Sequence, residues 1–300
     1  MGRRMSRNVF ALAGLLMSLL LAGCGPDTPA SHSRYGLGTY FRDPRAQALA
    51  LAAEQGDAAQ VRHLMKDEHV DPDRYFSVDD SGMPLIGWPI YTHNPAGLKA
   101  LLDNGADPNA RKPGKHSKHY ADGSGGTYFD YDNAMVLAAT EKDPVYLKLL
   151  LDHGGDPNTR NANDEPLLFQ AFIWHNQWQN LQLLVERGAD VNDTSRGTSI
   201  LLDYTSRGGF RQAYWLLQHG ADPEAVGDLL KQPPPPAPKR NLIVEDVFWH
   251  PGNPDDPTWQ RKCQQWFLAH GYKRPPMPKD YRDMRKNLGF PYEEKDIPLL

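Results

Sequence analysis

Four segments of the chain repeat one pattern, and that repetition constrains the fold more than any other feature. They read LKALLDNGADPNA (98–110), LKLLLDHGGDPNTR (147–160), LQLLVERGADVND (181–193) and AYWLLQHGADPEA (213–225). In each, leucines at helical spacing run into a glycine, and an aspartate follows. The leading glycines are Gly105, Gly154, Gly188 and Gly220, spaced by 49, 34 and 32 residues. An earlier, degenerate copy, VRHLMKDEHVDPD (61–73), sets Asp71 where the others have Asp107, Asp156, Asp190 and Asp222. The leucines form one apolar helical face. Glycine suits the left-handed position that ends a helix, and the aspartate can bond the backbone of the turn. A unit that cannot bury its apolar face alone is repeated until the stack has a core.

A shorter helical segment precedes each copy. These segments start at Leu49, Met83, Ala134, Glu165 and Thr198. Pro84 and Pro166 suit a first helical turn, where the missing N–H is unpaired anyway. Leu-Ala-Ala at 51–53 and 137–139 keeps the inner helix thin, so neighbours can approach. A period near 33 residues, with these two helices per unit, resembles the ankyrin repeat. The resemblance implies an all-α solenoid of stacked helix-turn-helix units joined by hairpin loops. About five repeats span 45–225, followed by a decayed cap repeat in which CQQWFLAHGYK puts Gly271 at the glycine place. The chain departs from the ankyrin pattern at its usual histidine, where Ile86, Val136, Leu168 and Leu201 stand.

The first 23 residues read as a targeting segment. A basic leader, MGRRMSRN, precedes an apolar run of about 15 residues, the length of a signal-peptide core and short for a membrane span. The run ends in Leu21-Ala22-Gly23-Cys24, which resembles the bacterial lipobox. That resemblance implies cleavage before Cys24, a lipidated thiol and an acylated (palmitate-bearing) amino terminus. Several acyl chains on one residue exceed the threshold for stable anchoring. Gly25 after the cysteine favours the outer membrane by the same family's sorting rule. Cys263 is then the single mature cysteine, so the fold holds without an internal disulfide.

The remaining organisation follows from composition shifts. Residues 24–44 read as a tether between lipid and solenoid. An insertion, RKPGKHSKHYADGSGGTYFDYD (111–132), enlarges one hairpin loop; its glycine- and serine-rich centre implies mobility, while Tyr128, Phe129 and Tyr131 suggest a pinned end. The proline run within 226–241 reads as a polyproline spacer. Residues 242–300 form the cap repeat and a tail with one short helix near 282–287.

The net charge of −4 becomes −7 without the three leader arginines, which argues against a nucleic-acid partner. No G-x-S-x-G, H-E-x-x-H or P-loop occurs, and the aspartates after glycine are explained by turns. His116 and His119 sit in a lysine-rich loop without a helix to fix metal geometry, so neither a metal nor a cofactor is expected. The expected function is binding without catalysis. Ankyrin solenoids bind proteins on the concave face made by loop fingers and inner helices. Aromatic and arginine side chains are the usual anchors. The candidates are Tyr75, Phe76, Trp88, Tyr91, Tyr128, Phe129, Arg160, Trp174 and Arg196. Exported bacterial ankyrin proteins include immunity proteins that neutralise antibacterial toxins and partners in peroxide defence. The resemblance therefore implies a lipid-anchored protein-binding module of the cell envelope facing the periplasm. An architectural envelope component is the other reading.

Overall fold

The computed structural model describes residues 28–119, 125–225, 240–253 and 257–300. The leader, Cys24, the centre of the insertion and the proline run lie outside the described residues. Helices stack in antiparallel pairs, and the chain folds as an ankyrin-repeat solenoid.

The inner and outer helices of the units follow one another along the chain. The first unit pairs α3 (Pro44–Gln55) with α4 (Ala58–Arg62). The second pairs α5 (Trp88–Tyr91) with α6 (Pro95–Asp103). The third pairs α7 (Ala134–Thr140) with α8 (Val145–Asp152), and the fourth α9 (Leu167–Ile173) with α10 (Trp178–Glu186). The fifth pairs α11 (Ile200–Thr205) with α12 (Phe210–Gln218). The cap pairs α13 (Leu242–Trp249) with α14 (Thr258–Ala269), and α15 (Lys279–Asn287) follows. Two short helices, α1 (Pro29–His32) and α2 (Leu37–Tyr40), precede the first unit.

Each outer helix buries the face that the leucine spacing requires. Leu98 and Leu101, Leu147 and Leu150, Leu181 and Leu184, and Ala213 and Leu216 are all fully buried. In the cap, Gln264 and Phe267 take those places, and Cys263 is buried beside them. The Cys263 thiol donates to the Phe210 carbonyl, at 3.4 Å, and burial pushes it up to about 12. The glycines that end the outer helices adopt the left-handed conformation, with φ of 97° at Gly105 and 86° at Gly271. In the degenerate first copy a non-glycine residue, His69, stands there at φ 56°. The outer helix of that copy widens into a π-turn over His63–Asp67 to reach it.

A ladder of side chains joins the fingers. In the third and fourth units, the Asp190 N–H donates to Asn158 Oδ1 at 2.8 Å, and Asn158 Nδ2 donates to the Gly188 carbonyl at 3.2 Å. Asn109 holds Asp156 and Gly154 in the same way, and Asn192 holds Asp222 and Gly220. Each asparagine thus satisfies a donor and an acceptor of the next unit. At the first interface an aspartate, Asp73, stands in the asparagine's place and accepts from Asp107 N at 3.1 Å. Burial, with Asp71 and Asp107 nearby, pushes its carboxyl up to about 6.

That substitution predicts an unusual pH dependence. The folded state holds the Asp73 proton more tightly than the unfolded chain. Its stabilisation is complete below the unfolded value near 4 and is lost as pH rises through about 6. Asp246, buried between Thr205 and Tyr281, is also pushed up to about 6 by burial and acts in the same direction. These two carboxyls are therefore expected to raise unfolding midpoints as pH falls from 7 towards 5, opposed by His250, whose imidazole is held below its usual value by burial and by Arg285. Asp73→Asn is expected to raise stability at pH 7 by about 1 kcal/mol, because Asp73 is half-exposed and solvent screens much of the shift. The variant should also flatten the curve, as read by urea denaturation across that pH range.

One expectation is corrected. Residues 28–43 are not a loose tether. Leu37 and Phe41 are buried against α3, and the Ser33 hydroxyl donates to Glu54 at 2.6 Å. Asp43 and Pro44 start α3 five residues before Leu49, the aspartate capping Arg45 N. The centre of the insertion, where mobility is expected, lies outside the described residues, and its Tyr128–Tyr131 end is ordered as expected. Its arms pair as an antiparallel hairpin, β1 (Lys115–His119) with β2 (Gly125–Phe129), in the register Lys115↔Phe129.

The cap packs directly on the fifth unit through α14 against α12 and α13 against α11. The Tyr281 hydroxyl donates to Asp246 at 2.6 Å, and Arg285 Nη1 donates to the Trp249 carbonyl at 2.9 Å. The tail thereby holds to the inner helix of the cap.

Candidate functional site

The candidate residues fall into separate patches along the inner helices and fingers. Tyr75 and Phe76 lie in the first finger, where Phe76 bridges to Pro84. Both are half-buried and border a recess of about 500 Å³ with Arg42, Arg74 and Lys112.

Trp88 is not a surface contact, and its candidacy is corrected. Its side chain is wholly buried, and its indole N–H donates to Glu54 at 3.3 Å. Tyr40, Phe41 and Tyr91 pack on the ring at centroid distances of 5.1, 5.8 and 5.5 Å. Tyr91 is 45% exposed and forms an aromatic cluster with Tyr35 and Tyr40, whose hydroxyl donates to that of Tyr91 at 3.1 Å. Tyr35 and Tyr40 belong to the presumed tether, so sequence reading did not place them here.

Tyr128 and Phe129 stand on β2 of the hairpin. Tyr128 stacks on His116, and the Arg111 guanidinium lies 4.1 Å from the Phe129 ring centre. Arg111 also donates to the Tyr131 and Arg160 carbonyls, at 3.1 and 2.7 Å. It staples the hairpin to the next finger. Arg160 is committed within the fold, paired with Asp164 at 2.8 Å and with Asp193. It braces two fingers and is not a free anchor.

Trp174 and Arg196 are brought together. They border one groove between α7 and α9, roofed by the fingers at 161–165 and 194–199. It encloses about 450 Å³. Leu137, Gln170 and Ile173 come from the inner helices; Asp132, Asn161 and Asn163 come from the fingers. Inner helices and fingers together make the concave face, so the groove lies on it. Ile173 and Trp174 are 54% and 53% exposed.

The loop that presents Trp174 is held in an unusual conformation. His175 and Asn176 follow with φ of 63° and 51°. Successive left-handed residues other than glycine cost energy, and such outliers concentrate at functional sites. The Tyr204 hydroxyl fixes the loop by donating to Asn176 Oδ1 at 2.5 Å. Gln177 N donates to the Ala171 carbonyl at 2.7 Å.

Glu165, missed in the sequence, anchors the groove's polar end. Its carboxylate is buried, and one oxygen accepts from Asn161 at 2.8 Å and Gln170 at 2.9 Å. The other oxygen lies 2.5 Å from the Arg196 guanidinium. Its position before Pro166, at a helix start that favours a negative charge, is the one signal the sequence carries. Arg196 and Gly197, at φ 50° and 83°, form the tight turn between β3 (Thr194–Ser195) and β4 (Thr198–Ser199), with Arg196 largely exposed. The groove thus offers an apolar rim, amide groups and one ion pair open to solvent on its arginine side.

No protein-family model matches the sequence, and no curated protein matches it. Among solved structures, the chain is similar to the crystal structure of the ankyrin repeat domain of Bcl-3, described as a unique member of the IkappaB protein family. The two share 21% identity over 75% of this chain and 86% of that one, with a TM-score of 0.51. This likeness establishes the ankyrin-repeat fold.

Proposed function

We propose that this solenoid binds a partner protein on its concave face, without catalysis, and that the groove between α7 and α9 is the main contact. The carrying observation is the solvent-facing Ile173–Trp174 pair, held by two left-handed residues at the groove mouth. A rigid aromatic anchor beside an ion pair is the chemistry of an interface hot spot. Tyr91 with Tyr35, and Tyr75 with Phe76, extend the same face towards the amino terminus.

The lipobox-like LAGC supports lipidation at Cys24 and an outer-membrane location facing the periplasm. A guard tethered there is suited to intercepting an incoming antibacterial toxin, so the partner we propose is a secreted toxin that the protein neutralises as an immunity protein. A toxin gene beside this one would accord with that partner; a catalase gene there would point instead to peroxide defence.

The test is a pull-down from detergent-solubilised envelope with the wild type, Trp174→Ala and Cys24→Ser. The wild type is expected to recover a stoichiometric protein. Trp174→Ala should weaken recovery by about 2 kcal/mol in affinity, roughly thirtyfold, while its melting temperature stays within a degree or so. Cys24→Ser should keep the partner but move to the soluble fraction. Recovery unchanged by Trp174→Ala together with Ile173→Ser would refute the groove.

A further inference from the structure

The outer face of the solenoid changes character along its length. In the second and third units, the exposed lysine of each outer helix pairs with an aspartate one turn on. Lys99 meets Asp103 and Lys148 meets Asp152, each at 2.5 Å. These aspartates stand two residues before Gly105 and Gly154. In the fifth unit and the cap, the same place holds Gln218 and Ala269. The lysine place holds Gln182 in the fourth unit and Tyr214 in the fifth. The ion-paired surface has given way to amides and rings.

Those rings line a recess of about 430 Å³ across three successive outer helices. Trp178 comes from α10, Tyr214 and Trp215 from α12, and Trp259 from α14. Trp178 meets Trp215 edge-on, with ring centres 5.3 Å apart. All four rings remain partly exposed. Two cations share the recess. Lys262 Nζ lies 4.2 Å from the Trp259 ring centre and 5.6 Å from that of Tyr214. The Arg211 guanidinium lies 5.7 Å from Trp259. Among the described residues, no acidic side chain lines the recess and no carboxylate pairs with Arg211 or Lys262.

We propose that this recess is a second binding surface, on the convex side, for an acidic peptide segment of a partner protein. The segment carries carboxylates beside aromatic or aliphatic side chains. The carboxylates supply the missing counter-charges to Arg211 and Lys262, whose N–H groups facing away from the rings remain available. The apolar side chains lie against the indoles. Gln182 and Gln218 offer amides to the peptide backbone. A recess below the helix ridges suits a chain that enters it; a lipid surface would instead meet side chains that project. This surface is independent of the concave groove.

The experiment measures fluorescence anisotropy of labelled short peptides in which Glu alternates with Phe and Ser, against the intact mature chain. Binding is expected for the Glu peptides and not for those with Gln in place of Glu. Arg211→Gln with Lys262→Gln should weaken it about tenfold, and Trp174→Ala should leave it unchanged. Circular dichroism melts check that the double variant folds, and Lys262→Gln alone serves if it does not. No binding of the Glu peptides, equal binding of the Gln peptides, or indifference to the double variant would overturn the proposal. Sedimentation with phosphatidylglycerol vesicles that depends on Arg211 and Lys262, without peptide binding, would overturn it in favour of a membrane surface.

Discussion

Gly97→Ala is expected to destabilise the protein by at least about 3 kcal/mol, the upper range for overpacking a tight site. Gly97 lies inside α6 where that helix crosses the end of α3. A methyl group there would stand 1.8 Å from the Ala53 carbonyl oxygen and 2.6 Å from its carbon. Backbone atoms cannot swing aside as a side chain can, so the two helices must separate. That carbonyl also accepts from Gly56 N at 3.1 Å, and Asn94 bonds the neighbouring Glu54 carbonyl at 2.9 Å. Separation therefore breaks the junction of the first two units. A melting temperature lower by roughly 6–12 °C is the expected reading. Gly154→Ala is the informative contrast. Nothing lies within 4 Å of its added carbon, and the cost there is only that of φ at 90°, about 1 kcal/mol. Equal effects at the two positions would refute steric contact as the reason for Gly97.

Trp88→Ala is expected to cost about 3–5 kcal/mol, as for other fully buried aromatic residues. The loss combines a large cavity, three ring contacts and the bond to Glu54. Trp88→Phe keeps much of the packing and should recover more than half of the loss in urea denaturation. Partner recovery should follow the folded fraction in both variants. A loss of binding by Trp88→Ala with an unchanged unfolding midpoint would contradict the burial described above.

The repeat was readable because its physical causes are local. Leucine spacing marks the buried face of α6, α8 and α10, and a glycine at each end marks a left-handed turn. Other features depended on partners in the neighbouring unit. Asn109, Asn158 and Asn192 recur two places after the repeated aspartates, yet nothing in a single copy says that each bonds the next one. Only the stack brings Asn158 to Gly188. The degenerate first copy shows the same rule, since His69 and Asp73 fill the glycine and asparagine places by geometry and not by residue type.

The candidate face was legible by residue class more than by position. Trp174 reads as exposed because it follows the last turn of α9, in the loop between the two helices of its unit. Trp88 read the same way and is buried, because α1 and α2 fold back and bring Tyr40 and Phe41 over it. Segments as short as these carry too few residues for a periodic signal. Glu165 carried only its place before Pro166 as a signal, for a different reason. Its role depends on Arg196, a turn away in the following finger.

The hairpin of β1 and β2 shows how this architecture separates reach from support. It grows from one finger tip, while the helices beneath it stack as their neighbours do. Closing a longer loop costs an entropy that rises only with the logarithm of its length. A finger can therefore lengthen, and carry rings such as Tyr128 outward, with little change in the spacing of the pile that bears it.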